Sequence, residues 1–403
     1  MRCKQLLVLL LSTQLCSVAH AFYSWEDDTG RGNVRALVRA TGVALRFSDA
    51  TPAQEDDEGL AGIARLIGQA NWQSSAVEFN AYQTYIPQSL VSHQGSIDSI
   101  LDVERSARLE WEMTDDKYAH LTIDRLSARW SLPRLDIMLG RQPINLATTF
   151  FFNPNDFFAP FAAQSFYRVY KPGVDALRTE VQLGELSQLS LIGVLGYHPD
   201  PASITGWSDE PDHQRHSYLA RFTTNLAGLE WGLLAGKVRR TRLQGGSIQG
   251  DLFDWLGIRA EGHQAELLDD ESIRYREFSI SLEHRWENSL MIQLEQFYHG
   301  QGASRVAEYD LFTNDSGYLA RRYHALGVSY EFSPLMTGQM SMIRNYIDHS
   351  LLLTGNVLYS LSNESELSFS ITIPDGKQTQ ALMLQSEYGS SPAILNLELR
   401  AYF

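Results

Sequence analysis

The chain has only two cysteines, and both, Cys3 and Cys16, fall within its first 21 residues. Everything after them lacks a disulfide framework, a thiolate nucleophile and a Cys-ligated metal. Basic residues are also scarce, 33 Lys and Arg against 48 Asp and Glu for a net charge of −15. That excludes an extended basic surface, so nucleic acid is not expected as a partner. Beyond the N-terminal region no stretch approaches 18 uninterrupted apolar residues, so no transmembrane helix is expected. With 44% hydrophobic residues the chain is still no disordered or collagen-like polymer. A membrane protein of this composition has to be a β-barrel.

What is there begins with an export signal. Arg2 and Lys4 supply a positive start, residues 6–11 a short apolar stretch, and Ala19-His20-Ala21 an A-x-A cleavage site. The stretch is too short for a bilayer, which takes about 20 apolar residues. Leu15 puts a bulky side chain directly before Cys16, where lipid attachment requires a small one. Residues 1–21 therefore read as a signal peptide and 22–403 as one outer-membrane β-barrel. Loss of Arg2 and Lys4 takes the net charge to −17.

The dominant pattern is a period of two over about ten residues, the spacing at which a strand shows one face to lipid and the other to water. Over 275–286, Phe278, Ile280, Leu282 and Trp286 share one face, and Glu277, Ser279, Ser281, Glu283 and Arg285 the other. Glu287-Asn288 turns the chain, and Leu290, Ile292 and Leu294 then alternate with Gln293 and Glu295, which makes a hairpin. Leu326, Val328, Tyr330 and Phe332 repeat the pattern before Ser333-Pro334 turns into 336–347. Ala107, Leu109, Trp111 and Met113 alternate with Arg108, Glu110 and Glu112, and 177–183 behaves likewise. Short turns such as 184–187 and Ala227-Gly228 take turns with long connections at 147–173, 199–216 and 300–320. Many strands end in Tyr, Trp or Phe, as at a membrane interface, which favours a transmembrane antiparallel barrel over a soluble β-sandwich.

The last strand sets Ala393, Leu395, Leu397, Leu399, Ala401 and Phe403 against Asn396, Glu398, Arg400 and Tyr402. An amphipathic strand ending in Phe403 resembles the assembly signal of Gram-negative outer-membrane proteins, except at Ala401, where an aromatic is commoner. The resemblance implies the barrel assembly machinery as a partner, with outer-membrane lipid and lipopolysaccharide around the barrel. Nineteen candidate strands can be counted, yet a barrel with both ends in the periplasm needs an even number. The surplus is expected between Leu60 and Met113, which leaves 18 strands, with 16 as the alternative. A barrel that size encloses water. Only 22–32 precedes the first expected strand, 33–47, too little for a plug domain.

Residues 135–178 stand apart. A strand ending in Leu139-Gly140-Arg141-Gln142 enters a loop with six phenylalanines, at 150, 151, 152, 157, 158 and 161, which leaves through Tyr170-Lys171-Pro172-Gly173-Val174-Asp175. In water these rings would make a large apolar patch, so burial is expected. Asn153-Pro154-Asn155-Asp156 is turn chemistry. Folded into a lumen, the loop narrows it and sets Asp156, Arg168 and Lys171 beside a passing solute. Packed on neighbouring loops, it is an external lid. Arg141, Asp175 and Arg178 lie where loop meets barrel, placed to anchor it by ion pairs or to touch solute. The segment resembles bacterial outer-membrane channels of the alginate-export and related porin-like type, in which a strand ending in Gly-Arg-Gln leads into a channel-restricting loop. The resemblance covers 135–178, with barrel periodicity alone beyond it. It implies passive passage of hydrophilic solutes or oligosaccharides. The candidate constriction residues are Arg141, Phe151, Phe152, Asp156, Phe157, Phe158, Arg168, Lys171, Asp175 and Arg178.

No cofactor or metal is expected, since there is no G-x-S-x-G elbow and no H-E-x-x-H motif. His263, His284 and His324 fall on expected strands as rim or lumen residues. A barrel hydrolase and a structural barrel recruiting envelope partners are the rival readings. Acidic clusters at Glu55-Asp56-Asp57-Glu58, Asp209-Glu210 and Asp269-Asp270-Glu271 read as solvated loops, or as ligands for cations that bridge lipopolysaccharide. Expected lumen-facing charges have both signs: Arg108, Glu110, Arg178, Glu180, Glu277, Glu283, Arg285, Glu398 and Arg400. Ion preference therefore does not follow from net charge.

Overall fold

Alternating side chains pair segment with segment along the chain until the last strand meets the first. A computed structural model describes residues 22–47, 56–86, 103–113, 119–166, 168–203, 205–253, 255–270, 272–309, 317–380 and 383–403. The expected signal peptide, residues 1–21, and Glu55 and Glu271 lie outside them. The ring starts at Gly30–Arg46 and continues through Asp57–Trp72, Ser75–Tyr85, Ala119–Leu132, Leu135–Gln142, Val174–Gln182, Ser187–Val194 and Ser217–Leu226. It goes on through Leu229–Val238, Thr241–Leu252, Leu256–Leu267, Arg274–Arg285, Met291–His299, Arg322–Ser333 and Met336–Asn345. Leu351–Ser362, Ser365–Asp375 and Ala393–Tyr402 complete a closed antiparallel barrel of 18 strands. Two short strands, Tyr23–Glu26 and Glu110–Glu112, extend the sheet without joining the ring. At the closing seam Leu37 lies opposite Tyr402 and Arg46 opposite Ala393. Ala36 and Phe403 exchange two backbone hydrogen bonds of 2.8 and 2.9 Å.

The surplus candidate strand is 107–113. Ala107–Leu109 is a 3-10 turn in which the Ser106 hydroxyl accepts from the Arg108 amide, and only Glu110–Glu112 is extended. Its polar positions do not face a water-filled lumen. Arg108 is exposed and pairs with Asp209 at 2.9 Å, whereas Glu110 is buried against Arg105 at 2.6 Å. Glu110–Glu112 pairs with His120, Leu121 and Thr122, beyond the stretch of that strand, Leu126–Leu132, that Leu135–Gln142 covers.

Burial is inverted relative to a soluble sheet. On Arg274–Arg285, Ser279 and Ser281 are 0% exposed while Phe278 and Ile280 are 41% and 46% exposed. An apolar exterior and polar interior suit lipid outside and water within. Exposed Trp72, Trp130, Trp231, Trp255, Trp286 and Phe332 all lie beside the short turns, forming one interfacial girdle. Ala227-Gly228, at φ 56° and 79°, makes the two-residue hairpin turn its sequence announces. The long connections stand at the opposite end, together with the short ones 239–240, 268–273 and 346–350. Among the described residues no helix is long and apolar enough to cross a membrane.

Candidate channel constriction

The loop leaves the wall through a stem built on Arg141, which is 1% exposed. Its Nε donates to Asp175 Oδ1 at 2.9 Å and its Nη2 to Asp175 Oδ2 at 3.1 Å. Two carbonyls, Ile123 at 3.0 Å and Ser106 at 2.8 Å, accept its remaining donors. Asp175 also accepts from the Ser106 amide at 2.9 Å and the Tyr197 hydroxyl at 3.0 Å. Arg105 ties the same cluster to Asp124 at 2.8 Å, and Arg65 reaches that carboxylate at 3.1 Å. Arg141 and Asp175 are therefore anchors enclosed by protein. Arg178 pairs along its own strand with Glu180. Gly140 and Gly173 permit the close approach: a Cβ on either would lie 2.3 Å from a carbonyl oxygen, of Leu126 and Asp124 respectively, and Gly140 has φ +114°.

From this stem the loop runs into the lumen and is caught by two carboxylates of the facing wall. Glu261 accepts the backbone N–H of Thr148 and, at 3.3 Å, that of Asn155. Glu295 accepts those of Phe150 and Phe151 at 3.0 Å and of Phe152 at 2.7 Å, and also the Ser279 hydroxyl at 2.8 Å. Five loop amides are thus held by two buried side chains from strands more than 100 residues away in sequence. Aromatic packing reinforces them. Phe152 stacks on Phe297 with centroids 4.8 Å apart, and Phe151 fills the space a side chain at residue 327 would need, 2.8 Å from an added Cβ on Gly327. Phe158 is buried with Val103, Ile144 and Val174.

The expected burial of the rings holds for Phe151, Phe152 and Phe158 and fails for Phe150, which is exposed, while Phe157 and Phe161 are half-buried and line the remaining open space. Two charged candidates have another role than the one expected. Asp156 and Lys171 are both buried and pair with each other. Burial pushes the Asp156 carboxyl up and the Lys171 ammonium down, and each opposes that shift in the other. Arg168 donates to the carbonyls of Phe150, Ser165 (2.9 Å) and Ala163 (3.0 Å) and lies 5.0 Å over the Phe150 ring, fastening the loop to itself. Glu261 was not singled out from sequence at all, and Glu295 only as part of a polar face. Their signal is a carboxylate in the middle of a strand's inward face.

No protein-family model matches the sequence, and no curated protein matches it. Solved structures do match the fold. Pseudomonas aeruginosa OccK9 (OpdG) is similar at a TM-score of 0.62 and 12% identity, covering 92% of this chain and 98% of its own. A BenF-like porin from Pseudomonas fluorescens Pf-5 gives 0.60 and 11%, covering 92% and 98%. The chain has a porin fold. Acinetobacter baumannii OccAB1 gives 0.60 and 10%, covering 92% and 96%. These likenesses support the porin-like half of the resemblance seen at 135–178, and not its alginate-export half.

Within this porin fold the loop leaves open a lumen of about 1260 Å³. Its uncovered wall comes from the seam. Arg39 pairs with Glu398 at 2.7 Å, Thr41 donates to the same carboxylate at 3.0 Å, and Arg400 bridges Glu398 and, at 3.3 Å, Glu366. Glu398 and Arg400 were expected here; Arg39 becomes a partner only through barrel closure, whereas Glu366 lies opposite Arg400 on the preceding strand. Of the other expected lumen charges, Glu277 meets His299 at 3.2 Å and Glu283 meets Arg259 at 2.9 Å. Arg285 is exposed, 3.5 Å from Glu331.

At the long-loop end Glu387 ties three connections together. It accepts from the Leu319 amide at 3.1 Å, the Tyr323 hydroxyl at 2.7 Å and the Asn345 amide group at 2.6 Å, next to Asp348. Burial pushes its carboxyl up to about 7, with the hydrogen bonds acting in the other direction. A carboxyl raised in the folded state favours folding below its ordinary value of 4.5, and that contribution is lost as pH rises through 7. Resistance to thermal unfolding in detergent is expected to fall between pH 5 and 8 by on the order of 3 kcal/mol. Glu387→Gln should flatten that slope; a slope unchanged by the substitution would assign it elsewhere.

Proposed function

We propose that this protein is a passive channel of the Gram-negative outer membrane for hydrophilic solutes, with passage set by the loop 147–173. The observation that carries the reading is an inside-out 18-strand barrel whose lumen stays open beside a loop fastened to its wall. Eighteen strands enclose more than side chains can fill, and an in-folded loop then decides what fits. Transport of this kind needs no covalent chemistry. The buried strand histidine His263 serves the loop, 3.3 Å from Asn155 and edge-on to Phe157. Refolded protein in a planar bilayer should give discrete current steps of reproducible size. A barrel that inserts and stays silent would overturn the reading.

Residues 1–21 act as the export signal, and lipid and lipopolysaccharide surround the exposed apolar belt. The final strand addresses the barrel assembly machinery. Phe403 also bonds to Ala36 at the seam, so its deletion weakens recognition and closure together. We expect less heat-modifiable barrel in outer-membrane fractions of cells expressing the shortened chain. Equal amounts with and without Phe403 would remove it from the assembly signal.

A further inference from the structure

Among the described residues, five arginines and five carboxylates line the lumen, so its lining is formally neutral in a chain of net charge −15. The arginines are also already matched. Arg39 and Arg400 face Glu398 and Glu366, Arg240 meets Asp269 at 2.5 Å, and Arg215 and Arg239 share Glu104 at 2.8 and 2.7 Å. Pore selectivity for ions comes from rings of one sign, and no such ring is formed by these residues. What the wall offers between its ion pairs is neutral. Asn356, Asn396, Ser368, Ser370 and Gln339 line the lumen from the strands 336–345, 351–362, 365–375 and 393–402. Asn356 donates to Ser368 at 2.8 Å and Asn396 to Ser370 at 3.3 Å. Asn356 also donates to the Phe369 carbonyl at 3.4 Å. Each amide has two donors and an acceptor oxygen, so these bonds leave both oxygens and a donor of Asn396 for a ligand. The loop supplies the complementary element, the rings of Phe157, Phe161 and Phe166 lining the same space.

Amides and hydroxyls on one side and aromatic rings on the other match a molecule with polar edges and apolar C–H faces. Sugar rings have that two-sided chemistry. We propose that the lumen binds an uncharged saccharide chain in preference to a polyanion, its hydroxyls on the Asn and Ser wall and its ring faces on the loop phenylalanines. A carboxylated polysaccharide would find the arginines engaged and the carboxylates of Glu366 and Glu398 beside it.

The inference rests on the channel reading, and one experiment separates the two. Single-channel current is recorded while maltohexaose or hexagalacturonate is added. Maltohexaose should half-block the current at a concentration about tenfold below that of hexagalacturonate. Phe161→Ala, and separately Asn356→Ala with Asn396→Ala, should each raise the half-blocking maltohexaose concentration by about fivefold. A conducting channel that maltohexaose does not block, that hexagalacturonate blocks as well or better, or whose block ignores both variants would overturn the saccharide assignment and leave the channel standing. No current at all would overturn the channel reading and this assignment with it.

Discussion

The double variant Glu261→Ala, Glu295→Ala should carry roughly two- to threefold more current per channel than the parent protein, with a noisier open state. Five loop N–H groups, of Thr148, Asn155, Phe150, Phe151 and Phe152, lose their acceptor at once. A hydrogen bond contributes about 0.5–1.5 kcal/mol net, so with five lost together the loop loses more than packing of Phe152 on Phe297 can restore. The barrel ladder uses backbone groups and is left intact. Each single variant should have a smaller effect, because the other carboxylate still grips its half of the loop. Conductance and noise equal to the parent's would mean that the aromatic cluster alone positions the constriction.

Replacing Arg141 by Ala should lower barrel stability by about 3–5 kcal/mol, since removing one partner leaves the other charge buried and unpaired. Here Asp175 would lose both guanidinium contacts, and the Ile123 and Ser106 carbonyls their donor. Arg141→Lys should rescue little, because an ammonium cannot reproduce a planar fork that serves a carboxylate and two carbonyls. The urea midpoint of refolded barrel in detergent measures the loss. Midpoints unchanged in both variants would show that the stem does not need its ion pair.

The hairpins around 275–299 and 322–345 could be read from sequence because register in a lipid-facing strand is written locally, as alternation ending at a turn. The same rule misled at 107–113. Alternation there reflects a short segment whose Glu110 faces a buried cluster, and period two does not distinguish a lumen from an ion network. The stem pair Arg141 and Asp175 was visible because strand neighbours face each other across one ladder. Glu261 and Arg39 were not, because Glu261 meets a loop more than 100 residues away and Arg39 meets Glu398 only after the ring has closed; Glu366 lies opposite Arg400 on the preceding strand and was within reach of the pairing of consecutive strands. Lys171 and Asp156 were identified as charged loop residues, but that they would meet each other depends on how the loop folds back.

The seam has one more consequence, for the order of events during biogenesis. Arg39 and Glu398 are 359 positions apart in sequence, as far apart as almost any two contacting residues in this chain. Every other wall strand finds both partners beside it along the chain, whereas Gly30–Arg46 and Ala393–Tyr402 each have one neighbour in sequence and must wait for each other at the second edge. Until then the growing sheet has two unsatisfied edges, the feature that invites pairing with other chains. Contacts this remote also make closure the slowest kind of folding step. Up to the moment its final strand arrives, the nascent sheet is open to pairing with its own copies, and closure of the seam is what removes both edges at once.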